Sequence, residues 1–353
     1  MFRTDDKGGS WKRLGVDLPE KESFQSLAAH REGQVVVALT QSGETYVSRD
    51  GGDSWQTEDL TGGRAVLKLA FLGDDLVFQP QQEGTLYAVR DASGKPQQPE
   101  PLKQSVSAWD AAGSTIGVIV MGDDRGLSVS RDAGRTWEAI HKDLYGGTVV
   151  VTAGPTGDQI LHQSSATTRL DSGDGAFQKV GRPGDTVADF CALPEGGWLT
   201  ADRVHGLYST TDWKRFHRVG VPAASVTTLT VAEEAVLAGT KTGLFCSPLP
   251  VGGPDWKTPE GLLSSGNHVV DLDVSAEDPS LVWRTRRINL ECTAERSVDA
   301  GQTWQPRGTW PDAIFALHIH PLDPDRVMHS FGGALSTLTH RQMITKVIGN
   351  LHL

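Results

Sequence analysis

One eight-residue motif recurs along this chain of 353 residues and constrains its fold more than any other feature. The motif reads Ser/Thr-x-Asp-x-Gly-x-Ser/Thr-Trp, and its four copies begin at Thr4, Ser48, Ser130 and Ser297. The Asp and Gly suit a tight turn, because Gly adopts positive φ and Asp hydrogen-bonds its own backbone. The Trp that follows can cover the apolar base of a hairpin. Each copy therefore predicts a stapled hairpin, and the recurrence predicts a repeat architecture.

The motif resembles the Asp-box, or BNR repeat, of the sialidase superfamily, of sortilin-like propellers and of photosystem-assembly propellers. This resemblance is specific for a local structure and not for an activity. It implies that the boxes lie on the face of a β-propeller away from the ligand site. The Asp and Trp residues of the boxes are therefore interpreted as structural.

The distance between copies of the motif measures the repeat. Trp55 and Trp137 are 82 residues apart, which is two periods of 41, and a degenerate copy lies between them at residues 87–94. Weaker copies follow at residues 171–177, 209–213 and 245–256. Each period holds short β-branched and apolar runs separated by Gly-centred turns, a pattern typical of four-stranded propeller blades.

We therefore predict an all-β fold, with residues 1–353 forming a single β-propeller domain of four-stranded blades. Counting the periods gives eight blades, with seven as the alternative. The last blade combines C-terminal strands with the N-terminal box, so that the two chain ends close the ring and leave no free sheet edge. The predicted blades are about 23–60, 61–102, 103–144, 145–182, 183–222, 223–263, 264–310, and 311–353 with 1–16.

Composition limits the partners and the compartment. The formal net charge of −11 argues against nucleic acid and anionic membranes as general partners. No apolar run approaches the roughly 18 residues that span a bilayer. The three cysteines show no paired spacing, so we expect a reducing compartment and no structural zinc. No signal peptide precedes the first box, so the cytoplasm is the expected location; secretion is the alternative if the native N-terminus was trimmed or misassigned.

The turns between strands 2 and 3 of each blade lie on the face opposite the boxes, where loops on a rigid scaffold can bind a ligand. These turns and the neighbouring strand starts are rich in cations, and Arg side chains suit carboxylates and phosphates. We predict an anionic ligand, which is a small molecule, an acidic glycan or a protein partner; the alternative is that these turns are simply polar. The predicted ligand-binding residues are Arg64, Arg125, Arg203, His205, Lys241, Arg284, Arg286 and Arg287.

A second group of polar residues lies on the innermost strands. Asp271 and Asp273 point the same way, because side chains alternate along a strand. Together with Asp189 and His318 they could converge on the propeller axis, act as acid–base catalysts or hold a divalent cation. No other cofactor is expected. The alternative is a water-filled channel with an ordinary polar lining.

The sialidase part of the resemblance is incomplete. Sialidases carry an early Arg-Ile/Leu-Pro motif, which this chain lacks, and a Tyr nucleophile, for which only Tyr145 lies in a linking loop. The missing residues favour a ligand-binding or assembly propeller without turnover. The alternative is a glycosidase-like hydrolase or lyase that uses two carboxylates near the channel. The sequence predicts neither the identity of the ligand nor the oligomeric state.

Overall fold

The fold is described by a computed structural model. It describes residues 2–14, 24–30, 32–40, 43–144, 147–154, 157–163, 168–171, 177–180, 187–194, 196–202, 206–212, 214–219, 226–249, 256–258, 267–275, 277–288, 291–310, 314–320 and 323–331. All elements assigned within these ranges are β-strands, which confirms the predicted all-β class. Backbone contacts divide the chain into two units, Met1–Arg13 with Gly181–Arg341, and Leu14–Val180 with Gln342–Leu353.

Thirty-one strands are assigned in these ranges. They are, in chain order, β1 (Phe2–Thr4), β2 (Lys12–Arg13), β3 (Phe24–Ala29), β4 (Val36–Thr40), β5 (Thr45–Ser48), β6 (Gln56–Thr57), β7 (Val66–Leu72), β8 (Asp75–Pro80), β9 (Leu86–Val89), β10 (Glu100–Lys103), β11 (Val106–Ala112), β12 (Thr115–Val120), β13 (Gly126–Ser130), β14 (Glu138–Lys142), β15 (Thr148–Gly154), β16 (Gly157–Gln163), β17 (Thr168–Asp171), β18 (Phe177–Val180), β19 (Val187–Ala192), β20 (Trp198–Asp202), β21 (Gly206–Thr210), β22 (His217–Arg218), β23 (Val226–Ala232), β24 (Ala235–Thr240), β25 (Gly243–Pro248), β26 (His268–Val274), β27 (Val282–Ile288), β28 (Glu291–Ser297), β29 (Gln305–Trp310), β30 (Ile314–His320) and β31 (Asp323–Phe331).

These strands form antiparallel sheets whose members pair in chain order, apart from the sheet that the two chain ends share. Within the described ranges, seven sheets have four strands and the sheet β23–β25 has three. The prediction of eight four-stranded blades is therefore wrong. Among the described residues, the outer side of β25 is met by an isolated bridge between Cys246 of β25 and Lys257. The intervening sequence holds Pro248, Pro250 and Pro254, and proline lacks the N–H that a strand ladder requires.

The two ends of the chain share one sheet within the first unit, in the order β2-β1-β31-β30. Phe2 lies opposite His329 and Thr4 lies opposite Val327 in antiparallel register. The predicted pairing of N-terminal and C-terminal strands is confirmed. It gives β1 a neighbour on both sides and leaves only the two-residue strand β2 at the outer edge, which protects the sheet from pairing with another chain.

The core lies between successive sheets. All six residues of β12 are buried, because a sheet packs on each of its faces. Val77 and Leu86 of one sheet share an apolar cluster with Ile116 and Val118 of the next, and each such fully buried side chain contributes about 1.5–3 kcal/mol. The outer strands are short and exposed, as in the two residues of β6. The near-continuous apolar runs of the second strands therefore follow from burial on both faces.

The Asp-box loops are stapled by the residues that define the motif. In the second box, Gly52 N donates to Ser48 Oγ at 2.7 Å, and Ser54 N and Oγ donate to the two carboxylate oxygens of Asp50 at 2.9 and 2.6 Å. The indole Nε1 of Trp55 donates to the carbonyl of Gly52 at 3.0 Å. The hydroxyl and carboxylate bonds recur in the boxes that begin at Thr4, Ser130 and Ser297.

These bonds favour the ionised form of the box carboxylates. In the third box the hydroxyl and the backbone N–H of Thr136 donate to Asp132 and lower the pKa of its carboxyl to about 2. Backbone and side-chain bonds from Ser10 lower the pKa of Asp6 to about 2 in the same way. The box carboxylates are thus acceptors fixed in the charged state, and the structural interpretation of the motif accounts for their chemistry.

An arginine repeat links neighbouring boxes in the second unit. Arg49 Nη1 donates to the carbonyl of Ser93 at 2.9 Å, in the degenerate box of the next sheet. Arg90, which is 41 residues later, donates to the carbonyl of Ala133 at 2.9 Å in the box after that. The arginine that precedes the central Asp of a box therefore binds the following box. The 41-residue spacing was the sequence signal for this role, which the sequence analysis missed.

Candidate functional site

Each sheet has two ends, and the boxes mark one of them. In the sheet β26–β29, the box loop joins the end of β28 at Ser297 to the start of β29 at Gln305. The opposite end holds the start of β26 at His268 and the end of β27 at Ile288. We call the second the non-box end. It is the end at which the sequence predicts ligand-binding cations.

Three basic side chains come together at the non-box end of the first unit. Lys241 is exposed in the turn between β24 and β25, and His268 begins β26 directly opposite Arg287 of β27. Partial burial lowers the pKa of His268, and the positive charges of Lys241 and Arg287 lower it further. Both cations are therefore close enough to oppose protonation of the imidazole. We call Lys241, His268 and Arg287 the cation cluster.

Arg284 and Arg286 lie within strand β27 and not in a turn, which corrects their predicted placement. Arg284 is 1% exposed and pairs with Glu295 of β28, with Nη2 2.5 Å from Oε2. Its guanidinium also lies 4.2 Å from the ring centre of Trp304. Arg286 contacts the other oxygen of Glu295 at 2.6 Å and Asn267 at 3.1 Å. Glu295, which the sequence analysis missed, thus makes these arginines part of the fold.

Two further predicted arginines are engaged at the surface of the second unit. Arg64 donates to the carbonyl of Thr61 at 2.9 Å and lies 4.6 Å from the ring centre of Tyr87. Arg125 donates to the carboxylate of Asp143 at 3.1 Å. The predicted residues Arg203 and His205 lie outside the described residues. Of the six predicted ligand-binding residues that the structure describes, Lys241 and Arg287 are therefore the two that share a basic site.

The carboxylates of the innermost strands bind backbone of the next sheet. Asp273 Oδ2 accepts from Ile319 N of β30 at 2.8 Å, and Asp110 Oδ2 accepts from Val151 N of β15 at 3.0 Å. The two carboxylates hold equivalent positions in their sheets, but Asp110 also pairs with Lys68 at 3.2 Å. Burial raises the pKa of Asp273 to about 7. These acids therefore join successive sheets.

The remaining residues of the predicted catalytic group are placed only in part. Asp271 is 3% exposed, and its Oδ1 accepts from Leu272 N at 2.9 Å. Asp189 lies in β19 and His318 in β30, but their side chains fall outside the described ones. Among the described residues, no three His, Cys, Asp or Glu side chains are arranged to hold a metal ion. Acid–base catalysis and cation binding by this group stay predictions.

Replacing Asp273 with asparagine is expected to stabilise the protein by about 1–2 kcal/mol at pH 8. A carboxyl with a raised pKa binds a proton that the unfolded chain, with a pKa near 4, releases. The folded state therefore loses stability as the pH rises from about 4 to about 7. Asparagine keeps an oxygen for Ile319 N without the charge, so the stability of D273N should change less over this range. Urea denaturation at pH 5 and pH 8 measures both effects.

Asp110→Asn is the matched control, because it removes a carboxylate with the same backbone bond and a lysine partner. Lys68 would lose its counter-charge, so a loss of about 1–2 kcal/mol is expected. If both variants changed stability in the same direction, the electrostatic difference between the two sites would be refuted.

A pocket of about 460 Å³ lies at the box end of the second unit. Its charged lining residues are Asp74, Asp75, Asp132, Arg131 and Arg135. Asp75 accepts from Arg90 at 2.6 Å and from Arg135 at 3.2 Å, so its carboxylate is already paired. The pocket lies at the end that the Asp-box resemblance places away from the ligand site.

The solved structures that resemble this chain establish its fold. The Dos1 propeller is 12% identical and aligns with a TM-score of 0.62, covering 89% of this chain and 93% of that chain. The C-terminal WD40 domain of Sif2 is 12% identical with a TM-score of 0.61 over 88% and 93%. YCF48 from Cyanidioschyzon merolae is 12% identical with a TM-score of 0.50 over 79% and 96%. At such identities the likeness shows the fold alone, which is a β-propeller.

Other comparisons bear on family and membrane association. No helix within the described ranges is long and apolar enough to cross a membrane. No curated protein sequence matches the chain significantly.

The sequence model of the Sortilin-Vps10 family, described as sortilin, neurotensin receptor 3, matches residues 1–180. This range is half of the chain and includes three of the four boxes, whereas membership of the sialidase superfamily is not confirmed. The chain belongs to the Sortilin-Vps10 family.

Proposed function

We propose that this protein is a binding propeller that recognises an anionic group, a sulfate, phosphate or carboxylate, through the cation cluster. The observation that carries the proposal is the strand register that sets His268 opposite Arg287 at the non-box end, where the charge of Lys241 also acts on His268. The family match ends at residue 180, so it does not extend to these residues. The proposal therefore rests on the chemistry of the cluster itself.

Lys241 and His268 differ from four of the other predicted or neighbouring basic residues in their electrostatics. Arg64, Arg125, Arg284 and Arg286 each lie against a described carboxylate. Among the described residues, neither Lys241 nor His268 forms an ion pair with an acidic side chain. A positive patch on a protein of net charge −11 attracts anions locally while the rest of the surface repels them. Such a site selects a ligand that presents its negative charge at one point.

The partial burial of His268 supports binding rather than simple surface polarity. A solvated turn lysine gains little from an anion, because water screens the pair. At His268 burial has already removed part of the water, so an anion that contacts it and the neighbouring cations acts in a medium of lower dielectric. Arg287 adds a planar fork of donors that suits the oxygens of a sulfate, phosphate or carboxylate.

We favour binding over turnover. The alternative of a glycoside hydrolase or lyase needs carboxylates that reach a substrate. Asp271 and Asp273 are 3% and 5% exposed, and each accepts a hydrogen bond from a backbone N–H. Incubation with acidic oligosaccharides, followed by analysis of the sugars, is expected to return them uncleaved; release of smaller products would favour the enzyme.

Charge reversal at Lys241 is expected to weaken binding of a sulfated hexasaccharide at least about tenfold, which is about 1.4 kcal/mol. Arg287→Gln should produce a loss of similar size, because it removes the second charge from the same site. The measurement is isothermal titration calorimetry with the folded variants. An acidic peptide of equal charge forms a second arm, which distinguishes a protein partner from a glycan.

Lys214→Glu is the matched control for Lys241→Glu. It reverses a lysine charge at an exposed position at the box end of the same unit. Its affinity for the hexasaccharide should stay within about twofold of the parent value. Equal losses in K241E and K214E would show that only the overall charge matters, and the cation cluster would then not be the site.

A further inference from the structure

His268 stands between two permanent charges. It begins β26, its Cα pairs with that of Arg287 on the neighbouring strand, and Lys241 approaches from the turn of the preceding sheet. On the row that runs across the sheet, buried Cys292 follows Arg287. The other described charged groups near this end of the sheet are Arg286, which is paired with Glu295, and Glu291, which is exposed at the start of β28.

These surroundings disfavour the imidazolium when the site is empty. Burial and the two cations all lower the pKa of His268, so the ring is neutral over most of the physiological pH range. An anion that sits among the three groups reverses the two electrostatic contributions. It cancels the repulsion from Lys241 and Arg287 and supplies a negative partner for the protonated ring.

We propose that His268 takes up one proton when an anion binds to the cation cluster, so that the affinity for the anion rises as the pH falls. The inference rests on the proposed function and deepens it by assigning its regulation. The chemistry that triggers the change is a sulfate, phosphate or carboxylate group. Lys241 and Arg287 hold the ligand with charges that are always present. His268 adds a third positive charge, which forms when the ligand binds.

The linkage between anion binding and protonation of His268 determines how the affinity depends on pH. Binding and protonation favour each other by the same factor. The affinity is constant well above the bound-state pKa of His268, rises by up to tenfold per pH unit as the pH falls toward the free-state pKa, and is constant again below it. Because the free-state pKa lies below the ordinary value of 6.5, the steep range extends into weakly acidic conditions.

Sulfate is the appropriate probe, since it keeps both charges over the whole range from about pH 5 to pH 8. Calorimetric titration of the full chain at several pH values, in two buffers of different ionisation enthalpy, counts the protons taken up per sulfate bound. We expect a maximum uptake approaching one proton and an affinity at least about tenfold higher at pH 5.5 than at pH 8. Binding without proton uptake would overturn the inference and leave the proposed function intact.

His268→Asn is the variant that isolates the proton, because asparagine is polar and does not titrate in this range. Sulfate should still bind through Lys241 and Arg287, with an affinity that no longer depends on pH. A pH dependence unchanged in H268N would place the titrating group elsewhere. Absence of sulfate binding by the parent protein at every pH would instead reject the proposed function, so the two failures are distinguishable.

A second measurement does not depend on the strength of binding. The imidazole proton signal that disappears in H268N reports the titration of His268 by NMR, with and without saturating sulfate. The inference requires the pKa from this signal to rise on addition of sulfate. A titration curve that sulfate leaves unchanged would overturn it.

Discussion

Replacing Glu295 with alanine is expected to destabilise the protein by about 3–5 kcal/mol. Arg284 and Glu295 have side chains that are 0% and 2% exposed, so the substitution would leave a buried guanidinium without its carboxylate. Arg286, which shares the same carboxylate, would lose its partner as well. The midpoint of urea denaturation should therefore fall sharply in E295A, while the dependence on denaturant stays similar.

Two comparisons make this result specific. Glu58→Ala breaks the exposed pair between Arg49 and Glu58 and should cost less than about 1 kcal/mol. Replacing both buried partners, in the variant Arg284→Met with Glu295→Leu, should recover part of the lost stability, because the Arg284 charge is removed while Arg286 still lacks its carboxylate. If E295A were no less stable than E58A, the buried ion network would be contradicted.

Replacing Gly134 with alanine is expected to cost about 2–4 kcal/mol. This glycine of the third Asp-box has φ +86, and a Cβ there would lie 2.6 Å from Cδ1 of Leu102. The substitution therefore combines strain in the left-handed region with overpacking against the preceding sheet. The difference in the free energy of unfolding between parent and variant measures the sum of both costs.

Gly63→Ala separates these two costs. Gly63 has φ +73 with no atom within 4 Å of the added Cβ, so its substitution introduces the strain alone, about 1 kcal/mol. Leu102→Ala in the G134A background should restore part of the overpacking cost, giving a coupling energy between the two sites. Equal costs for G134A and G63A would show that the box glycine does not make this close contact.

The motif was the part of the sequence from which structure could be predicted most completely. Its bonds are local, because Ser48, Asp50 and Ser54 lie within seven residues of each other. The pairing of the chain ends followed from the box that precedes the first strands and the strands that lack a box. The fourth strand of residues 223–263 was predicted wrongly, since the average period carried more weight than the prolines after β25.

The site was predicted less well because strand register decides which of its side chains face each other. Arg284, Arg286 and Arg287 were grouped as one basic turn, yet β27 extends through all three of them. Alternation along the strand then separates Arg287 from the other two, which face Glu295. Glu295 can be identified as the partner of Arg284 only from the strand register. The pairing of Ile288 with Glu291 sets Arg284 opposite Glu295.

The carboxylates illustrate a second limit. Asp110 and Asp273 occupy the same position of the repeat, and Asp273 was predicted to act in catalysis or metal binding. In the structure, each binds a backbone N–H of the next sheet, and only Asp110 has Lys68 beside it. Contacts between successive sheets join residues about 40 positions apart, so local sequence patterns do not reveal them.

Hydrogen–deuterium exchange with and without a sulfated hexasaccharide measures whether an anion binds at the non-box end through the cation cluster. The ligand should slow exchange in peptides covering residues 240–244, 267–270 and 286–288. Peptides of the box loop at 297–304 should exchange as in the free protein. Protection confined to the box loops, or to the pocket lined by Asp74 and Arg131, would contradict the claim.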